Sequence, residues 1–319
     1  MTLNIKLIIL NQTPVNIMKI AFFTEMGFRG KISRSHENMR TEFAWMCALE
    51  ADHYPINAVP VADKYDLAIV IIPKKNPNFN IENLKASCTK VAVMQEGPNW
   101  YWQDYDLEKQ IWYFNTLTSS DIIYTHNESD QKYYQGLTAH PDVRVMQSLM
   151  IEESIGELEQ VERSGVIIGG NFVSWYGGFD SFIIAQEFDN GVVYAPSMGR
   201  KQQGEEQLIT HLPYMNWKQW IHQLNKFKYG VHLMRTHAAG TFALNCAYLG
   251  IPCIGYKGLD TQMICHTDCT VEVGDLASAR KIAMKLRNDE EFYLYCSKLS
   301  KEMYNKYFTE TQFIEKFHI

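Results

Sequence analysis

One short segment of the chain, residues 235–256, brings together imidazole, hydroxyl and very small side chains: RTHAAGTFALNCAYLGIPCIGY. It follows an apolar run at 229–233 that predicts a buried strand, and residues 241–249 repeat apolar side chains at helical spacing. The turn between strand and helix presents a helix N-terminus, whose free N–H groups and partial positive charge favour a phosphate group. A tight turn closed by a capping Thr241 explains the same spacing, so both interpretations stay open.

Four side chains of this turn suit a phosphorylated ligand. Ala239 and Gly240 are small enough for a ligand to approach the backbone closely. His237 adds a ring N–H, and Thr241 adds a hydroxyl donor. We therefore take these four residues as candidate ligands of a phosphate-bearing molecule.

The order of residues from 236 to 255 resembles the donor-binding signature of B-fold (GT-B) nucleotide-sugar-dependent glycosyltransferases, in the branch that uses UDP-sugars. In that signature a Gly-Val-Pro follows the histidine by thirteen residues, and here Gly250-Ile251-Pro252 stands at that distance from His237. Phage-type enzymes are among those that the chain resembles. The resemblance covers the second half of the chain in outline, and the first half only as a generic α/β lobe.

Further positions extend the resemblance, and one departs from it. Asp260 and Gln262 match, with one residue inserted, the Asp-Gln pair that holds the sugar hydroxyls in the family. Tyr214 lies in a Leu-Pro-Tyr segment that resembles the loop on which the base of the donor rests. The glutamate that usually clasps the ribose is replaced by Asn245, which forms hydrogen bonds without a charge. The choice of nucleotide therefore stays open, and a polar residue at a helix edge explains Asn245 equally well.

Basic residues after two other predicted strands suit the diphosphate of a donor. Arg200 and Lys201 follow the strand at 192–196, where B-fold transferases often place a cation, and a solvated basic turn is the alternative. Gly27 follows the first strand, in a loop that resembles the phosphate-facing loop of the family. A cluster of basic residues surrounds Gly27: Arg29, Lys31, Arg34, His36 and Arg40. These side chains either face solvent at the start of a helix or contact an anionic acceptor or the donor phosphates.

Aromatic residues stand in two loops that follow predicted strands. Trp100, Tyr101 and Trp102 are consecutive, and Trp175 and Tyr176 lie among glycines. Such rings stack well on sugars and nucleobases. We therefore expect all five, together with Arg29 from the basic cluster, to bind the acceptor. The alternative for the first loop is that its rings cover a core.

The resemblance implies transfer of a sugar to an acceptor hydroxyl, and an inverting enzyme needs a base to take the acceptor proton. Glu96 directly follows the strand at 90–95 and is the first candidate, before Asp104 and His36. A retaining enzyme would use the same acidic side chain to steady the reacting face. Helix N–H groups and nearby cations would stabilise the leaving diphosphate, so we expect neither a required metal nor a tightly bound cofactor beside the nucleotide-sugar co-substrate.

Strand-like apolar runs alternate with helix-like segments along the chain, which predicts parallel sheets covered by helices. In the first half the predicted strands are 19–24, 67–73, 90–95, 121–126 and 143–149, and the helices are 35–51, with Ser35 as N-cap, 105–118 and 128–136. In the second half the strands are 166–170, 192–196, 209–212, 229–233, 252–255 and 270–273, and the helices are 180–188, 217–226, 241–249, 276–287 and 290–307.

A charged segment at 152–164 divides these two alternations. We therefore expect an α/β protein of GT-B architecture, with two Rossmann-like doubly wound parallel sheets facing across a cleft. Residues 1–155 form the acceptor domain, 156–290 the nucleotide-sugar donor domain, and 291–319 a C-terminal helix that crosses back to the first domain. Residues 1–17 precede the first predicted strand, either as an extra strand or as an extension. Ligands of such sheets bind at the carboxyl ends of strands, which places the site in the cleft.

Composition and net charge limit the class of protein and its compartment. The chain has 319 residues, 46% of them apolar, and a net charge of −6, so a strongly basic nucleic-acid footprint is absent. Its seven cysteines are scattered and odd in number, as in proteins of a reducing compartment. We expect a cytoplasmic protein, in the host cytoplasm if it is phage-encoded, with no membrane span. The pair Cys265 and Cys269, with His266, lacks the second ligand pair of a zinc site.

Two other functions fit the same residues. A B-fold sugar-nucleotide epimerase would use the same donor lobe without an acceptor surface, and the aromatic loops argue against it. A non-catalytic nucleotide- or glycan-binding module is consistent with the departure at Asn245. For a transferase, the acceptor is a glycan or a modified nucleic acid, and the sequence leaves its identity, the sugar and the oligomeric state open.

Overall fold

The first lobe is built on a parallel sheet. The computed structural model describes residues 18–25, 27, 29–60, 64–74, 79–188, 191–197 and 199–317. Within them the strands of this sheet are β1 (Ile20–Thr24), β2 (Gly30–Lys31), β3 (Asp52–Pro55), β4 (Tyr65–Ile71), β5 (Cys88–Met94), β6 (Ile122–Thr125) and β7 (Val143–Val145). Their spatial order is β2-β3-β1-β4-β5-β6-β7, and β2 runs antiparallel to β3. The helices are α1 (Thr41–Ala48), α2 (Glu82–Lys85), α3 (Leu107–Ser119) and α4 (Glu128–Thr138).

The second lobe repeats this design with a different strand order. Its strands are β8 (Val166–Ile168), β9 (Val193–Ala195), β10 (Ile209–His211), β11 (Tyr229–His232), β12 (Cys253–Tyr256) and β13 (Thr270–Val271). They are ordered β10-β9-β8-β11-β12-β13, which is the 3-2-1-4-5-6 order of dinucleotide-binding sheets. The helices are α5 (Gly178–Ala185), α6 (Trp217–Leu224), α7 (Thr241–Leu249), α8 (Asp260–Cys265), α9 (Leu276–Asn288), α10 (Glu290–Tyr307) and α11 (Glu310–Lys316). The predicted class, two doubly wound parallel sheets, is confirmed.

The predicted elements agree with the structure except at a few segments. Each predicted strand is present, and α7 and α10 have the predicted bounds. Polar α4 begins after Asn127, whose side chain accepts a hydrogen bond from the N–H of Asp130 and caps the helix. The helix predicted at 35–51 is wrong in its first turns, because α1 begins at Thr41 and Ser35 caps nothing. β2, β3, α2 and α8 were not predicted, since they are short or polar. Residues 1–17 lie outside the described residues.

The two lobes share an apolar core with the end of the chain. Phe22 and Ile69 of the first sheet belong to the same buried cluster as Ile167 of the second. α10 packs on α7, α8 and α9, whereas α11 packs on α1 of the first lobe. Phe313 of α11 is 2% exposed in this cluster. The last described helix therefore ties the first lobe to the second.

Phe313→Ala is expected to destabilise the protein by about 3 kcal/mol, because it leaves a cavity where α11 meets the first lobe. Ile314→Ala on the same helix is the matched control, since that side chain is 48% exposed. Urea unfolding of both variants measures the difference. Equal midpoints for the two variants would show that α11 contributes little to the packing of the lobes.

Candidate active site

A cavity of about 180 Å³ opens where the second sheet ends and α7 begins. It lies at the carboxyl ends of β8, β9 and β10, as expected for a ligand of a doubly wound sheet. The second lobe lines it with Gly169, Pro196, Ser197, Pro213, Tyr214, Met215, Trp217, Trp220, Thr241, Phe242 and Asn245, and the first lobe contributes Arg40. Three residues predicted to bind the donor, Tyr214, Thr241 and Asn245, therefore share one cavity.

The N-terminus of α7 is built by a glycine that no other residue could replace easily. Gly240 is the N-cap residue with φ 67°, in the left-handed region, and a Cβ there would lie 2.2 Å from Oγ1 of Thr261. That hydroxyl donates to the carbonyl of Gly240 at 2.9 Å. No side chain of the described residues caps α7, so the interpretation of Thr241 as a cap is wrong. The first turn of the helix keeps its positive end at the cavity.

Asn245 is the buried polar group of this cavity. It is 4% exposed, and its amide forms no hydrogen bond with any described residue. The Asn245 amide keeps accessible surface in the open cavity, so a ligand or water can bind it there. The geometry suits a polar ligand that donates to the Asn245 oxygen or accepts from its nitrogen.

His237 lies between the lobes, beside a buried carboxylate that sequence reasoning missed. Asp130 is 3% exposed and accepts hydrogen bonds from Nδ2 of Asn99 and of Asn127, each at 3.1 Å. Nδ1 of His237 is 3.6 Å from Oδ1 of Asp130. A Cβ at Gly258 would lie 2.2 Å from Nε2 of His237, so the ring is confined on both sides. The only signal for Asp130 in the sequence was its place in the first turn of α4.

Charged side chains lie close together at the edge of the first sheet where β4 and β5 end. Glu96 pairs with Lys74, with 3.4 Å between Oε2 and Nζ. Glu42, in the first turn of α1, accepts a hydrogen bond from the hydroxyl of Thr41. Burial raises the pKa of Glu42, and the charge of Glu96 raises it further. Sequence reasoning identified Glu96 and missed Glu42, because a glutamate early in a helix is common on any surface.

His126 directly follows β6, the next strand of the first sheet. It is 4% exposed and stacks on Trp45, with ring centroids 5.6 Å apart. Burial lowers its pKa to about 4, so the ring is neutral at pH 7. Neither ring nitrogen has a hydrogen-bond partner among the described residues. The position lies in a predicted strand, where a histidine carries no distinctive pattern.

The two predicted aromatic loops meet across the cleft. The rings of Trp100 and Trp175 are 6.2 Å apart, and the guanidinium of Arg200 lies over Trp175 at 5.2 Å. The carbonyl of Arg200 accepts a hydrogen bond from Nδ2 of Asn171. Tyr101 is half-buried, and its hydroxyl bonds with that of Tyr105 at 2.8 Å. The structure thus joins Trp100, Trp175 and Arg200, which lie far apart in the sequence.

Two predicted site residues are buried and hydrogen-bonded within their own lobes. Trp102 was expected to bind the acceptor, but it is 2% exposed in the core of the first lobe, where its Nε1 donates to Oε1 of Gln95 at 2.8 Å. The alternative, that part of this loop covers a core, holds for Trp102. Gln262 was expected to hold sugar hydroxyls, but it is 1% exposed, and its amide donates to the carbonyl of Cys253 and the hydroxyl of Thr270. Both side chains are occupied by structural hydrogen bonds.

Asp260 faces the first lobe rather than the cavity that Asn245 lines. Its Oδ2 accepts a hydrogen bond from the backbone N–H of Glu128 at 3.1 Å. It lines a second cavity, of about 510 Å³, with Lys316 and Tyr307. Burial is the main reason that its pKa is raised to about 6. The neighbouring carbonyl of Ala239 accepts a hydrogen bond from the hydroxyl of Ser148 at 2.6 Å.

Other predicted residues occupy exposed or structural positions. Asp104 is exposed and forms no hydrogen bond or ion pair with described residues. His36 stacks on Phe43 at 5.1 Å, and its Nδ1 accepts from the N–H of Asn38. A Cβ at Gly27 would lie 2.1 Å from the carbonyl oxygen of Tyr54, so backbone packing alone requires this glycine. The remaining three are Arg29 and Lys201, which are exposed, and Tyr176, which is half-buried.

Metal-binding groups and membrane spans were sought in the described part of the chain. No group of three or more His, Cys, Asp or Glu side chains there is arranged to hold a metal ion. No helix there is long and apolar enough to cross a membrane.

Comparisons with known proteins identify the fold. No protein-family model and no curated protein matches the chain. An alpha-glucosyltransferase in complex with UDP and a 13-mer DNA containing a HMU base is similar, with TM-score 0.64 and 12% identity over 94% of this chain and 98% of that one. TarM has TM-score 0.60 and 8% identity over 78% of this chain and 53% of its own. Sucrose-phosphate synthase from Thermosynechococcus elongatus has TM-score 0.61 and 10% identity over 79% and 72%.

These likenesses establish the architecture. The chain has the GT-B fold of the B-fold glycosyltransferases, with two Rossmann-like lobes across a cleft. It spans about half the length of TarM and nearly the full length of the alpha-glucosyltransferase.

As pH rises from 4 to 7, the Asp260→Asn variant is expected to become more stable relative to the native chain. The folded-state pKa of about 6 lies above the ordinary value, so the native state holds this proton more tightly than the unfolded state. The native chain therefore loses stability as pH rises towards 6, by up to about 2 kcal/mol, and the variant does not. Urea unfolding of both proteins at several pH values measures this. Parallel stability curves would contradict it.

Proposed function

We propose that the protein transfers a sugar from a nucleoside-diphosphate sugar, with UDP-sugars favoured, to an acceptor hydroxyl. The amide of Asn245, which has no hydrogen-bond partner among the described residues, carries this proposal, because it lines a cavity at the positive end of α7. A ribose hydroxyl is a suitable partner for an amide, and a phosphate is suited to a helix N-terminus. Tyr214, 77% exposed at the cavity, offers a ring on which a base can rest.

The chemistry breaks the bond between the sugar C1 and the diphosphate oxygen and forms a bond from C1 to the acceptor oxygen. The leaving diphosphate gains charge, and the N-terminus of α7 with His237 would stabilise it. Arg200, held beside Trp175, would supply a cation. Asp130 would act as a positioning residue, because its buried carboxylate lies against His237. None of these groups needs a metal to bind phosphate oxygens.

The acceptor proton needs a base, and Glu96 is the strongest of the three predicted candidates. It lies at the carboxyl end of β5 beside Lys74, and a second carboxyl, Glu42, interacts with it. Asp104 has no such neighbours, and Nδ1 of His36 already accepts a hydrogen bond. If configuration is retained, the Glu96 carboxylate would instead steady the oxocarbenium-like reacting face. In either case we place Glu96 at the reacting centre.

For the acceptor we propose the aromatic surface formed by Trp100 and Trp175, with a modified DNA base tested first and a glycan second. Aromatic pairs of this kind stack on planar or sugar rings. The similar alpha-glucosyltransferase of nearly equal length is bound to DNA containing a HMU base, and a TarM variant is bound to alpha-GlcNAc-glycerol and UDP. Product formation would separate transfer from epimerisation and from binding alone. All seven cysteines are buried free thiols, which supports a cytoplasmic location.

The first test is thermal shift with UDP, GDP, ADP and dTDP in buffer containing EDTA. One nucleotide is expected to raise the melting temperature by mass action, with UDP the first expectation. His237→Ala and Asn245→Leu should lose most of that shift, whereas Asn305→Leu, exposed on α10, should keep it. A shift that needs added Mg²⁺ would contradict metal independence, and no shift with any nucleotide would contradict the proposed donor site.

Glu96→Gln is expected to lower the turnover of the bound donor at least a hundredfold while leaving the dissociation constant for UDP within twofold. Release of UDP from a panel of UDP-sugars measures turnover, and titration calorimetry measures binding. Asp104→Asn is the matched control, because that carboxylate is exposed and unpaired. Equal activity of both variants would remove Glu96 from the reacting centre.

A further inference from the structure

A buried carboxylate, that of Glu205, joins three segments of the second lobe. Glu205 lies between β9 and β10, and its side chain is 1% exposed. Its Oε2 accepts hydrogen bonds from two backbone N–H groups, that of Phe172 at 3.3 Å and that of Gln202 at 2.9 Å. Its Oε1 lies 2.8 Å from Nε2 of His211, the last residue of β10. One side chain therefore contacts the segments at the carboxyl ends of β8, β9 and β10.

A second buried side chain, that of Asn171, binds two of these segments to each other. It is fully buried, and its Nδ2 donates to the carbonyl of Arg200. Its Oδ1 accepts from the N–H of Val173 at 3.1 Å, which fixes the start of the loop after β8. The loop after β8 and the loop after β9 are thus held together at two points, by Asn171 and by Glu205.

The same segments carry side chains that we assign to the ligands. Trp175 lies in the loop after β8, and the guanidinium of Arg200, in the loop after β9, lies over its ring at 5.2 Å. Trp175 is also 6.2 Å from Trp100 of the first lobe, between ring centroids. Tyr214 follows β10 and lines the cavity at the N-terminus of α7, which Glu205 does not line. Glu205 can therefore act on a ligand only through the segments that it holds.

The choice of a carboxylate for this position has a physical consequence. A buried carboxylate loses its hydration and is tolerated only where hydrogen-bond donors or a cation replace the water. Here two backbone N–H groups and one imidazole surround it. A charged acceptor binds N–H groups more strongly than an amide or a hydroxyl does. The junction at Glu205 is therefore stiff, as suits groups that a reaction requires within about 0.5 Å of one position.

We infer that Glu205 is a positioning residue of the sugar transfer, which fixes the guanidinium of Arg200 over Trp175 through the loops after β8 and β9. The inference rests on the proposed function. Without the carboxylate, the loop after β9 loses its hydrogen bond at Gln202 and its tie to Phe172. Arg200 then no longer meets the leaving diphosphate in one fixed orientation.

Nucleotide binding should suffer less than turnover when Glu205 is removed. The segment that carries Tyr214 has a hold of its own, because the N–H of Leu212 donates to the carbonyl of Ala195 at 2.8 Å. The N-terminus of α7 is not bound to Glu205 either. The donor can therefore still bind, whereas the transition state loses a precisely placed cation.

The test begins with Glu205→Leu, which removes the acceptor oxygens and keeps a side chain of similar size. Release of UDP from a panel of UDP-sugars should show turnover lowered at least tenfold, and titration calorimetry should show UDP affinity lowered less than threefold. Glu205→Gln keeps one oxygen for the two N–H groups and should recover part of the turnover. Glu206→Leu is the matched control, because Glu206 is exposed and forms no hydrogen bond or ion pair with any described residue. Equal turnover of the two leucine variants would overturn the inference.

A double-mutant cycle tests whether Glu205 acts through Arg200. In the Arg200→Ala chain, Glu205→Leu is expected to lower turnover less than twofold further, and additive losses would overturn the inference. Urea unfolding checks that each variant is folded. If Glu205→Leu does not fold, the cycle is measured with Asn171→Ala, which releases the carbonyl of Arg200 and should give the same non-additive loss.

Trypsin supplies a readout that does not depend on activity, since Arg200 and Lys201 lie in the loop that Glu205 holds. Cleavage after these two residues, followed by mass spectrometry, should be at least tenfold faster in Glu205→Leu than in Glu206→Leu. Equal cleavage rates would show that Glu205 does not hold this loop. A native chain that binds no UDP and releases none from any UDP-sugar defeats the proposed function, whereas an active native chain with an equally active Glu205→Leu variant defeats this inference alone.

Discussion

Two hydrogen bonds from the first lobe fix the turn before α7, and the rest of the cleft depends on them. Nδ2 of Asn127 donates to the carbonyl of Ala238 at 3.2 Å, and the hydroxyl of Ser148 donates to the carbonyl of Ala239 at 2.6 Å. Both donors follow strands of the first sheet. The turn that carries His237 is therefore held by the lobe that it faces. The same arrangement brings His237 to Asp130 and leaves the cavity open beside Thr241.

The cleft also concentrates polar groups that the protein itself does not satisfy. Neither ring nitrogen of His126 or His232 has a hydrogen-bond partner among the described residues. Each such group costs stability that an apolar residue of similar size would not cost. His232 also lies so close to Gly169 that a Cβ there would be 2.4 Å from its ring. A functional role explains these buried histidines better than a stabilising role, because apolar residues of similar size would pack without this cost.

The sequence predicted most of the secondary structure, because strands buried on both faces and amphipathic helices have strong local patterns. It failed where a contact from the other lobe decides the conformation. Residues 35–40 have helical character, yet Glu37 and Asn38 leave the helix to bind α6. In the sequence, Trp100 and Trp102 are indistinguishable as aromatic residues of one loop. In the structure, Trp102 lies in the core, where it donates a hydrogen bond to Gln95. Local patterns do not contain these choices.

The sequence by itself determined the two-lobed α/β class, the turn that carries His237, Gly240 and Thr241, and the departure at Asn245. These follow from spacing within about twenty residues, where backbone geometry relates neighbours directly. Only the tertiary structure decided that Asp130 lies against His237, that Glu42 acts on Glu96, and that Arg40 enters the second lobe's cavity. Partners of this kind come from different strands and lobes. Their meeting depends on how the sheets pack, which no local periodicity specifies.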